Sequence, residues 1–421
     1  MPKALKHDFP IGHLDYCQIC GNKDLSLIID LGHQAPCDSL VTSSQLNQPE
    51  TTYPLKLYHC NQCGLVQINH VVDPKILFHP DYPYISGITQ TLAINLLGIA
   101  DRVINLLKLK KNSLVIDIGS NDGTLLQGFK QKGMRVLGIE ATLIAKKAEE
   151  NGIPTIQAFF NENLAKEISK KYGKAAVITA TNMFAHIPNL GDFLRGVRTL
   201  LVDDGFFLSE SHYLLDIIKT NQYDSIYHEH LRFYSLKSLI RLMKYYNFSI
   251  VDVERIPNYG GSIRVFSLKG NHKVSENVNA ILTLEEKENL NNIQTYIKFR
   301  KKIFQSKIDL LNLLVKLNKE GKQVIGIGCP GRSSTLLNYC NIDSSLIAYI
   351  SEQASSLKLG LFLPGKHIPI VDEKKMFEEQ PEYALLLSWH YSKPIIEKLR
   401  MKGLKSKIIL PLPEVKILYP I

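Results

Sequence analysis

The fold of this chain is decided by Ser113-Leu-Val-Ile-Asp-Ile-Gly-Ser-Asn-Asp-Gly-Thr-Leu-Leu126. Its apolar first part, 114–118, predicts a buried strand. Gly119 and Gly123 then bracket a tight loop, and 124–131 reads as the opening of a helix. Small residues in such a loop allow a ligand to approach backbone N–H groups at the N-terminus of a helix. The stretch therefore predicts a nucleotide-binding α/β unit.

The next predicted strand, 135–139, ends in an acid, Glu140. An acid at the end of the second strand can bind both ribose hydroxyls of an adenosine. The loop before it reads Asp-x-Gly-x-x-x-Gly, which is neither the dinucleotide fingerprint nor a triphosphate loop with Lys-Ser/Thr. Further predicted elements are a helix over 89–107, a strand over 175–179 and two adjacent strands over 248–253 and 262–268. An adenosine ligand other than a dinucleotide fits this pattern.

A second signal lies in 221–235, which concentrates histidines, tyrosines and carboxylates around Tyr227-His-Glu-His230. The run lacks the three- and four-residue repeat of a packed helix. His titrates nearest neutral pH, and sites that move protons cluster titratable groups. The segment therefore predicts an acid–base site, with a polar surface turn as the alternative.

Two cysteine pairs, Cys17-x-x-Cys20 and Cys60-x-x-Cys63, each stand directly before a glycine. Two such turns can face each other and hold tetrahedral zinc with four thiolates, which closes the coordination sphere. We therefore predict a structural zinc site with an inserted segment over 31–56. A redox Cys-x-x-Cys, the alternative, lacks its strand-to-helix context. Cys37 stands alone and is expected to be a buried small side chain.

Length, charge and hydropathy limit the class of protein. The chain has 421 residues, which suggests two or three domains. Its formal charge of +10 comes from dispersed Lys and Arg, so a nucleotide or pyrophosphate ligand fits and a nucleic acid is not required. No apolar run reaches the roughly 18 residues of a membrane span, and 1–10 is not a signal peptide. We expect a soluble, cytoplasmic protein without a membrane partner.

The C-terminal part predicts one long helix and a second α/β unit. Apolar residues at helical spacing over 285–317 predict a single helix that bridges two domains. The run 323–335 then repeats the strand, glycine loop and helix. Pro330 and Arg332 break the dinucleotide fingerprint, so no second cofactor is expected. A strand over 385–388 is expected to end at a ligand-facing edge.

Several motifs occur in one order along the chain: the two cysteine pairs, Ile118-Gly-Ser-Asn-Asp-Gly-Thr124, Ala185-His-Ile-Pro188, Tyr227-His-Glu-His-Leu231 and Gly260-Gly-Ser-Ile-Arg264. Together they resemble the sugar C-methyltransferase family, which acts on nucleotide-linked 4-keto-deoxysugars. The resemblance covers almost the whole chain. It implies an α/β protein with a small zinc-binding domain over 1–75, a class I methyltransferase (Rossmann-like) domain over 76–270, bridging helices over 271–320 and a Rossmann-like nucleotide-sugar-binding domain over 321–421.

The resemblance also implies a reaction, the S-adenosylmethionine-dependent methylation of C-3 or C-5 beside the ketone. A base removes the acidified proton, and the enolate carbon attacks the methyl group. His230 is then the base. The residues that would orient it or stabilise the enolate are Glu229, His228, Tyr227 and Tyr223. Tyr82 or Tyr84 would reach the substrate. His186 would lie where cofactor and substrate meet, or only pack there.

Binding residues follow from the same resemblance. Those expected at S-adenosylmethionine are Asp117, Gly119, Ser120, Asn121, Asp122, Gly123, Glu140, Asn182 and Phe184. Those expected at the nucleotide-sugar are Gly328, Gly331, Arg332, Ser333, Lys358, His367 and Trp389, with Arg332 on pyrophosphate and Trp389 stacked on a base or packed. A monomer or homodimer is expected. Two departures, Tyr259 in place of His and His212-Tyr213 after Glu210-Ser, could reshape the sugar pocket.

Three other readings remain open from the sequence. An O- or N-methyltransferase of another small molecule would need no enolate. A zinc-bearing interaction protein with a decayed enzyme domain is disfavoured by the intact glycine loop and Glu140. A nucleotide-sugar dehydratase or reductase is disfavoured because 326–331 is a poor dinucleotide fingerprint.

Overall fold

A computed structural model describes residues 7–79, 86–88 and 90–420. The predicted contacts of Tyr82 and Tyr84 lie outside these residues. Within the described ranges the strands form four sheets, of two, four, seven and six strands. None of the helices in these ranges combines the length and the apolar character that a membrane crossing requires.

The N-terminal elements hold the four cysteines. They are β1 (Gly12–His13), β2 (Leu25–Gln34), β3 (Tyr53–Cys60), β4 (Val66–Ile68), β5 (His70–Val71) and α1 (Pro74–Leu77). β2, β3 and β4 pair antiparallel, while β1 pairs with β5. The two ends of the segment between the cysteine pairs are therefore strands of the sheet itself.

The central elements build the predicted nucleotide-binding sheet. They are α2 (Gln90–Leu107), β6 (Leu114–Ile118), α3 (Thr124–Gln131), β7 (Arg135–Glu140), α4 (Ala145–Glu150), β8 (Thr155–Gln157), α5 (Glu162–Tyr172), β9 (Ala175–Thr181), α6 (Leu190–Leu200), β10 (Leu201–His212), α7 (Leu214–Lys219), β11 (Arg232–Phe233), α8 (Leu236–Tyr245), β12 (Phe248–Ile256) and β13 (Ser262–Lys269). The sheet order is β12-β13-β10-β9-β6-β7-β8. Its core is parallel, and β12 and β13 form the predicted antiparallel pair at one edge. The order reverses between β6 and β9, where open α/β sheets bind ligands.

The histidine-rich segment joins the N-terminal sheet to the central one. β11 pairs with β4, which makes it the edge strand of the four-stranded sheet. Just before it, the Leu231 N–H donates to the Ala185 carbonyl at 3.1 Å, and the Leu231 carbonyl accepts from the Ile68 N–H at 3.1 Å. These backbone bonds hold the segment beside the turn that follows β9.

The single helix predicted over 285–317 is wrong, because the structure has two helices there. α9 (Glu276–Lys287) ends before Asn289, whose left-handed backbone has φ of 55°. α10 (Ile293–Lys319) begins after Asn292, whose side chain accepts from the Gln294 N–H. Asn tolerates left-handed backbone and caps helix N-termini well, so this asparagine-rich link breaks the helix despite continuous apolar spacing.

The C-terminal elements form a second open sheet. They are β14 (Val324–Ile327), α11 (Arg332–Cys340), β15 (Ile350–Glu352), β16 (Ile370–Asp372), α12 (Glu373–Glu379), β17 (Tyr383–Leu386), α13 (Ser392–Met401), β18 (Lys407–Leu410) and β19 (Lys416–Leu418). The order β16-β15-β14-β17-β18-β19 is parallel except for the last strand. The predicted strand, loop and helix after residue 323 are confirmed. One continuous apolar core runs from the N-terminal sheet through the central sheet into this one.

Candidate active site

Two matching turns bring the four predicted metal ligands together. The Sγ atoms of Cys17 and Cys63 lie 3.4 Å apart, and those of Cys20 and Cys60 lie 3.5 Å apart. A tetrahedral zinc ion with Zn–S bonds of about 2.3 Å needs sulfurs roughly 3.8 Å from each other. Gly21 and Gly64 have positive φ, which lets each turn fold back over its pair. The four thiols fit a closed zinc site.

The glycine loop after β6 has the shape that an adenosine cofactor requires. Gly119 has φ of 73°, and a Cβ placed there would lie 3.0 Å from the Met183 side chain. Gly123 begins α3 with φ of 80°. Ser120 Oγ is buried without a hydrogen-bond partner among the described residues. The loop can therefore present its backbone to a ligand closely, as predicted.

Glu140 ends β7 beside this loop. One carboxylate oxygen accepts from the Thr142 N–H at 2.9 Å and the other from the Asn121 N–H at 3.0 Å. Asp117, on the neighbouring strand, is buried, and this burial raises its pKa to about 7 although the Thr179 hydroxyl donates to it at 2.6 Å. The acid expected at the ribose is thus fixed at the carboxyl ends of the parallel strands.

His230 lies at the centre of a group of aromatic rings. Its ring centroid is 4.0 Å from that of Tyr227 and 4.9 Å from those of His186 and His212. Its Nδ1 lies 2.7 Å from the Ser225 carbonyl oxygen. Because a carbonyl can only accept, Nδ1 carries the hydrogen and Nε2 keeps its lone pair. The arrangement holds an imidazole as a proton acceptor.

Three of these rings are kept uncharged by burial. Burial lowers the pKa of His186 to about 4, and it holds the pKa of His212 and His230 well below 6.5. The Arg332 guanidinium adds to this effect for His212 and His230. These imidazoles therefore have a free lone pair at ordinary pH, although the lowered pKa makes each a weaker base than a solvated histidine.

Two further histidines join this site: His212, whose place after Glu210-Ser was predicted to reshape the sugar pocket, and His390, which was predicted at a ligand-facing strand edge. His212 ends β10, and His390 follows β17 and lies 6.4 Å from the Tyr259 ring, which in turn is 5.5 Å from His212. The Nδ1 atoms of both histidines lack a hydrogen-bond partner among the described residues. Both lie at the carboxyl ends of strands in open sheets, where ligands bind, but the sequence did not predict that they approach the His230 group.

The other residues predicted near the base each have a partner of their own in the structure. Glu229 faces the Cys37 thiol, with its Oε1 at 3.3 Å. His228 Nε2 contacts the Pro54 carbonyl at 3.3 Å. The Tyr223 hydroxyl lies 3.3 Å from Cys340 Sγ, within the core. His228 and Tyr223 are thus not brought to the His230 ring through these contacts, and their catalytic roles stay predictions.

Phe184 and Asn182 follow β9. Phe184 is fully buried and stacks on the Tyr234 ring at 5.6 Å, so it packs beneath the site. Asn182 has φ of 56°, and its buried Oδ1 has no partner among the described residues. The predicted cofactor contact of Asn182 is compatible with that free acceptor, whereas Phe184 packs on other rings and its cofactor contact stays a prediction.

Two of the predicted nucleotide-sugar residues, Arg332 and Trp389, already bind other side chains of this protein. Arg332 is 4% exposed and donates to Gln222 Oε1 at 3.4 Å and to the Tyr259 carbonyl at 3.3 Å. It also lies 3.7 Å from Asp224, which accepts from the Trp389 indole N–H at 2.7 Å. Arg332 and Trp389 therefore join the C-terminal sheet to the histidine-rich segment, so their predicted ligand contacts compete with these bonds.

Two further predicted substrate residues bind the N-terminal part of the chain. Lys358 Nζ lies 2.6 Å from Asp38, and His367 Nε2 lies 2.6 Å from Glu50. By contrast, Ser333 Oγ is buried without a described partner, at the start of α11. Gly328 has φ of 76°, and a Cβ there would lie 2.5 Å from Ser388 Oγ. Gly331 and Gly328 thus keep this loop narrow and its backbone open to a ligand.

Comparison with known proteins gives a consistent assignment. A zinc binding domain family matches residues 17–78, a methyltransferase domain family matches 95–253, and a C-methyltransferase C-terminal domain family matches 257–413. The C-methyltransferase NovU of Streptomyces niveus is 32% identical over 410 residues, which are 96% of this chain and 97% of that protein.

Solved structures match the chain more weakly. A SAM-dependent methyltransferase from Anabaena variabilis is 17% identical and covers 42% of this chain and 85% of its own, with a TM-score of 0.34. The 1,6-didemethyltoxoflavin-N1-methyltransferase of Burkholderia thailandensis is also 17% identical and covers 42% and 79%, with a TM-score of 0.32. Overlap at this level carries no argument about the site.

Proposed function

The chain belongs to the S-adenosylmethionine-dependent C-methyltransferases, and we propose that its acceptor is C-3 or C-5, beside the ketone of a nucleotide-linked 4-keto-deoxysugar. Methylation at carbon requires removal of a C–H proton, and a neighbouring ketone makes that proton acidic. The reaction therefore requires a buried, uncharged base and a hydrogen-bond donor for the enolate oxygen.

The observation that carries the proposal is the fixed tautomer of His230. Its Nδ1–H is bound to the Ser225 carbonyl, so the proton taken from the substrate carbon would go to Nε2. Burial lowers the pKa of His186 and His212, whose rings each lie 4.9 Å from that of His230, so near neutral pH both stay uncharged beside the imidazolium that forms. A positive charge on His186 or His212 would instead lower the pKa of His230 and weaken it as a base.

Tyr227 is the donor best placed for the enolate oxygen. Its ring lies 4.0 Å from the His230 ring. Burial, with the nearby Cys37 and Glu229, holds the pKa of its phenol well above 10, so the hydroxyl keeps its proton and can donate a hydrogen bond. A buried donor aimed at developing negative charge stabilises the transition state more than a solvated one.

The cofactor would be held by the glycine loop and Glu140, and when bound it supplies an electrophilic methyl group that the substrate carbon takes up. His186 follows β9, which pairs with β6, and His212 ends β10, the next strand beyond β9. This arrangement puts the histidine cluster next to the loop that starts at Gly119. His230 itself is 7% exposed, so little water reaches its ring.

The nucleotide part of the substrate is assigned to the loop before α11. Ser333 offers a buried, unpaired hydroxyl there, and the loop ends at the N-terminus of a nine-residue helix. Helix N-termini favour anions such as pyrophosphate. The C-terminal sheet and the histidine cluster meet through Arg332 and Asp224, so a substrate bound at this loop would reach His230.

The test is mass spectrometry with S-adenosylmethionine and a panel of dTDP-, GDP- and CDP-linked 4-keto-deoxysugars. The expected result is a gain of about 14 Da on one of them, for replacement of H by CH₃. A second arm omits the cofactor and uses D₂O, in which the base should exchange one carbon-bound proton. Methylation at oxygen or nitrogen, with no exchange, would replace the proposal by the O- or N-methyltransferase reading.

A further inference from the structure

Cys37 lies between the two zinc-binding cysteine pairs, yet it contacts the histidine-rich segment. Its Sγ donates to Glu229 Oε1 at 3.3 Å across 192 positions of sequence. Both side chains are 4% exposed. Burial and the neighbouring carboxylates of Glu229 and Asp38 hold the pKa of the thiol well above 9, so it keeps its hydrogen. The thiol is therefore a permanent donor to the carboxylate.

The surroundings of this pair argue against a metal ion. The ligand atoms of Cys37, Asp38 and Glu229 lie within 4.8 Å of one another, as a metal site would require. However, the Lys358 ammonium lies 2.6 Å from Asp38 and also donates to the Cys329 carbonyl at 2.8 Å. A cation already balances the cluster, and a second one would be repelled.

The thiol is held in place by the C-terminal sheet. A Cβ at Gly331 would lie 3.0 Å from Cys37 Sγ, so the loop before α11 packs directly on the sulfur. Four residues on, Val41 exchanges two backbone hydrogen bonds with Phe362, of 3.0 and 2.8 Å. The segment that carries Cys37 therefore has little freedom to move away from Glu229.

We propose that Cys37 is a positioning residue, whose S–H holds the Glu229 carboxylate and thereby the orientation of Tyr227 and His230 on either side of it. The inference rests on the proposed function, because it gives Glu229 a part in proton removal from the acceptor carbon. Cys37 does not touch the substrate; it acts through Glu229. It makes the zinc-binding domain a contributor to the catalytic site.

The experiment compares Cys37→Ala and Cys37→Ser with the matched control Cys340→Ala, a buried thiol that contacts the Tyr223 hydroxyl in the core. The readouts are kcat, KM, cofactor affinity, and proton exchange in D₂O without S-adenosylmethionine. Cys37→Ala should lower kcat and the rate of proton exchange roughly tenfold, which corresponds to the loss of one buried hydrogen bond. Its cofactor affinity should be unchanged. Cys37→Ser should recover most of both, because its hydroxyl still donates.

A pH profile separates positioning from a merely structural role. If the thiol acts through the orientation of the base, the pH profile of kcat should change shape in Cys37→Ala and return to the wild-type form in Cys37→Ser, whereas lost packing alone should lower kcat equally at every pH. The groups that face this carboxylate and the base are Cys37, Asp38, Lys358, Tyr227, His186, His212 and Arg332. None of them except Cys37 is changed in these variants.

Different outcomes contradict the positioning role of Cys37 and the proposed function. If Cys37→Ala exchanges the proton at the wild-type rate and keeps the wild-type pH profile of kcat, the positioning role alone is overturned. Equal losses in Cys37→Ala and Cys340→Ala, with equal falls in Tm, also overturn it, since packing would then explain both. If the wild-type enzyme exchanges no proton on any keto-sugar, the proposed function fails and this inference fails with it.

Discussion

The Nδ1–H of His230 donates to the backbone carbonyl of Ser225 at a distance of 2.7 Å. The bond joins residues five apart, across the turn that also contains Tyr227. Because a backbone acceptor cannot itself be protonated near neutral pH, the tautomer of the ring is independent of pH until the ring is charged. The free Nε2 is therefore a defined proton acceptor rather than one of two alternatives.

Replacing this ring should stop the chemistry while the cofactor still binds. We expect His230→Ala to lower kcat and proton exchange by about 100-fold or more, the scale of general-base catalysis. His228→Asn, two residues away and bound to the Pro54 carbonyl, should stay within about threefold of wild type. Exchange rates in D₂O measure both. A full loss in His228→Asn would return that residue to the catalytic group.

Removal of the acid at the end of β7 should weaken cofactor binding. Glu140 accepts from two backbone N–H groups that shape the loop, and it is the predicted acceptor for the ribose hydroxyls. We expect Glu140→Ala to lower S-adenosylmethionine affinity by at least about tenfold, the scale of a charge-assisted hydrogen bond. Calorimetric titration measures it, with the exposed Glu149→Ala on α4 as the matched control. Equal affinities for the two variants would contradict the assignment.

Local signals in the sequence predicted the central sheet well. The strand Leu114–Ile118 and the helix Thr124–Gln131 have the predicted bounds, because an apolar run and two glycines with positive φ mark them. The cysteine pairs were equally informative, since their spacing alone sets the turn geometry. The helix break after Lys287 was missed, because the apolar spacing continues across the link 288–292 that contains its asparagines.

Contacts between distant segments could not be predicted in the same way. His212 and His390 join the cluster through the order of strands in two different sheets, which no local pattern encodes. Cys37 was expected to be a small buried side chain, and it is buried, but its contact with Glu229 depends on how the N-terminal segment packs under α11. Burial follows from composition, whereas a specific partner follows only from topology.

Loss of one zinc ligand should remove the metal and destabilise the N-terminal sheet. Cys60 ends β3, so its thiolate ties the metal to the strand that pairs with both β2 and β4. We expect Cys60→Ser to lose bound zinc and about 3 kcal/mol or more of unfolding free energy. Elemental analysis and urea denaturation measure these effects. Cys340→Ser should keep its zinc, and zinc loss from it would contradict the four-cysteine site.

Acid should destabilise the chain through its buried histidines. Burial lowers the pKa of His228 to about 4 from an unfolded value of 6.5, so the unfolded state binds the extra proton as pH falls between these values. Stability is therefore lost on acidification, by about 2 kcal/mol for this ring at pH 5. Asp117 acts in the opposite direction, because its pKa is raised to about 7.

The contribution of His228 is isolated by comparing wild type with His228→Asn at two pH values. Urea denaturation at pH 7.5 and pH 5.0 gives the difference in unfolding free energy between the two proteins. That difference should shift by about 2 kcal/mol in favour of the variant at the lower pH. A difference that does not depend on pH would show that the ring titrates normally in the folded protein.

Arg332 and Asp224 provide the sharpest test of how the C-terminal sheet is attached. Their charges lie 3.7 Å apart, with both side chains at most 4% exposed. Removing one partner leaves a buried charge, so Arg332→Met should cost about 3 kcal/mol of unfolding free energy. The double variant Arg332→Met with Asp224→Asn should recover part of this loss, since no buried charge remains unpaired.

The same variants test whether Arg332 attaches the C-terminal sheet through Asp224 or binds the pyrophosphate of the substrate. Urea denaturation of the wild type, the two single variants and the double variant gives the coupling energy, and KM for the nucleotide-sugar is measured alongside. A positive coupling with recovery in the double variant supports attachment, because the guanidinium then serves Asp224. Unchanged stability with a raised KM, equal in the single and double variants, would instead assign Arg332 to the pyrophosphate as the sequence predicted.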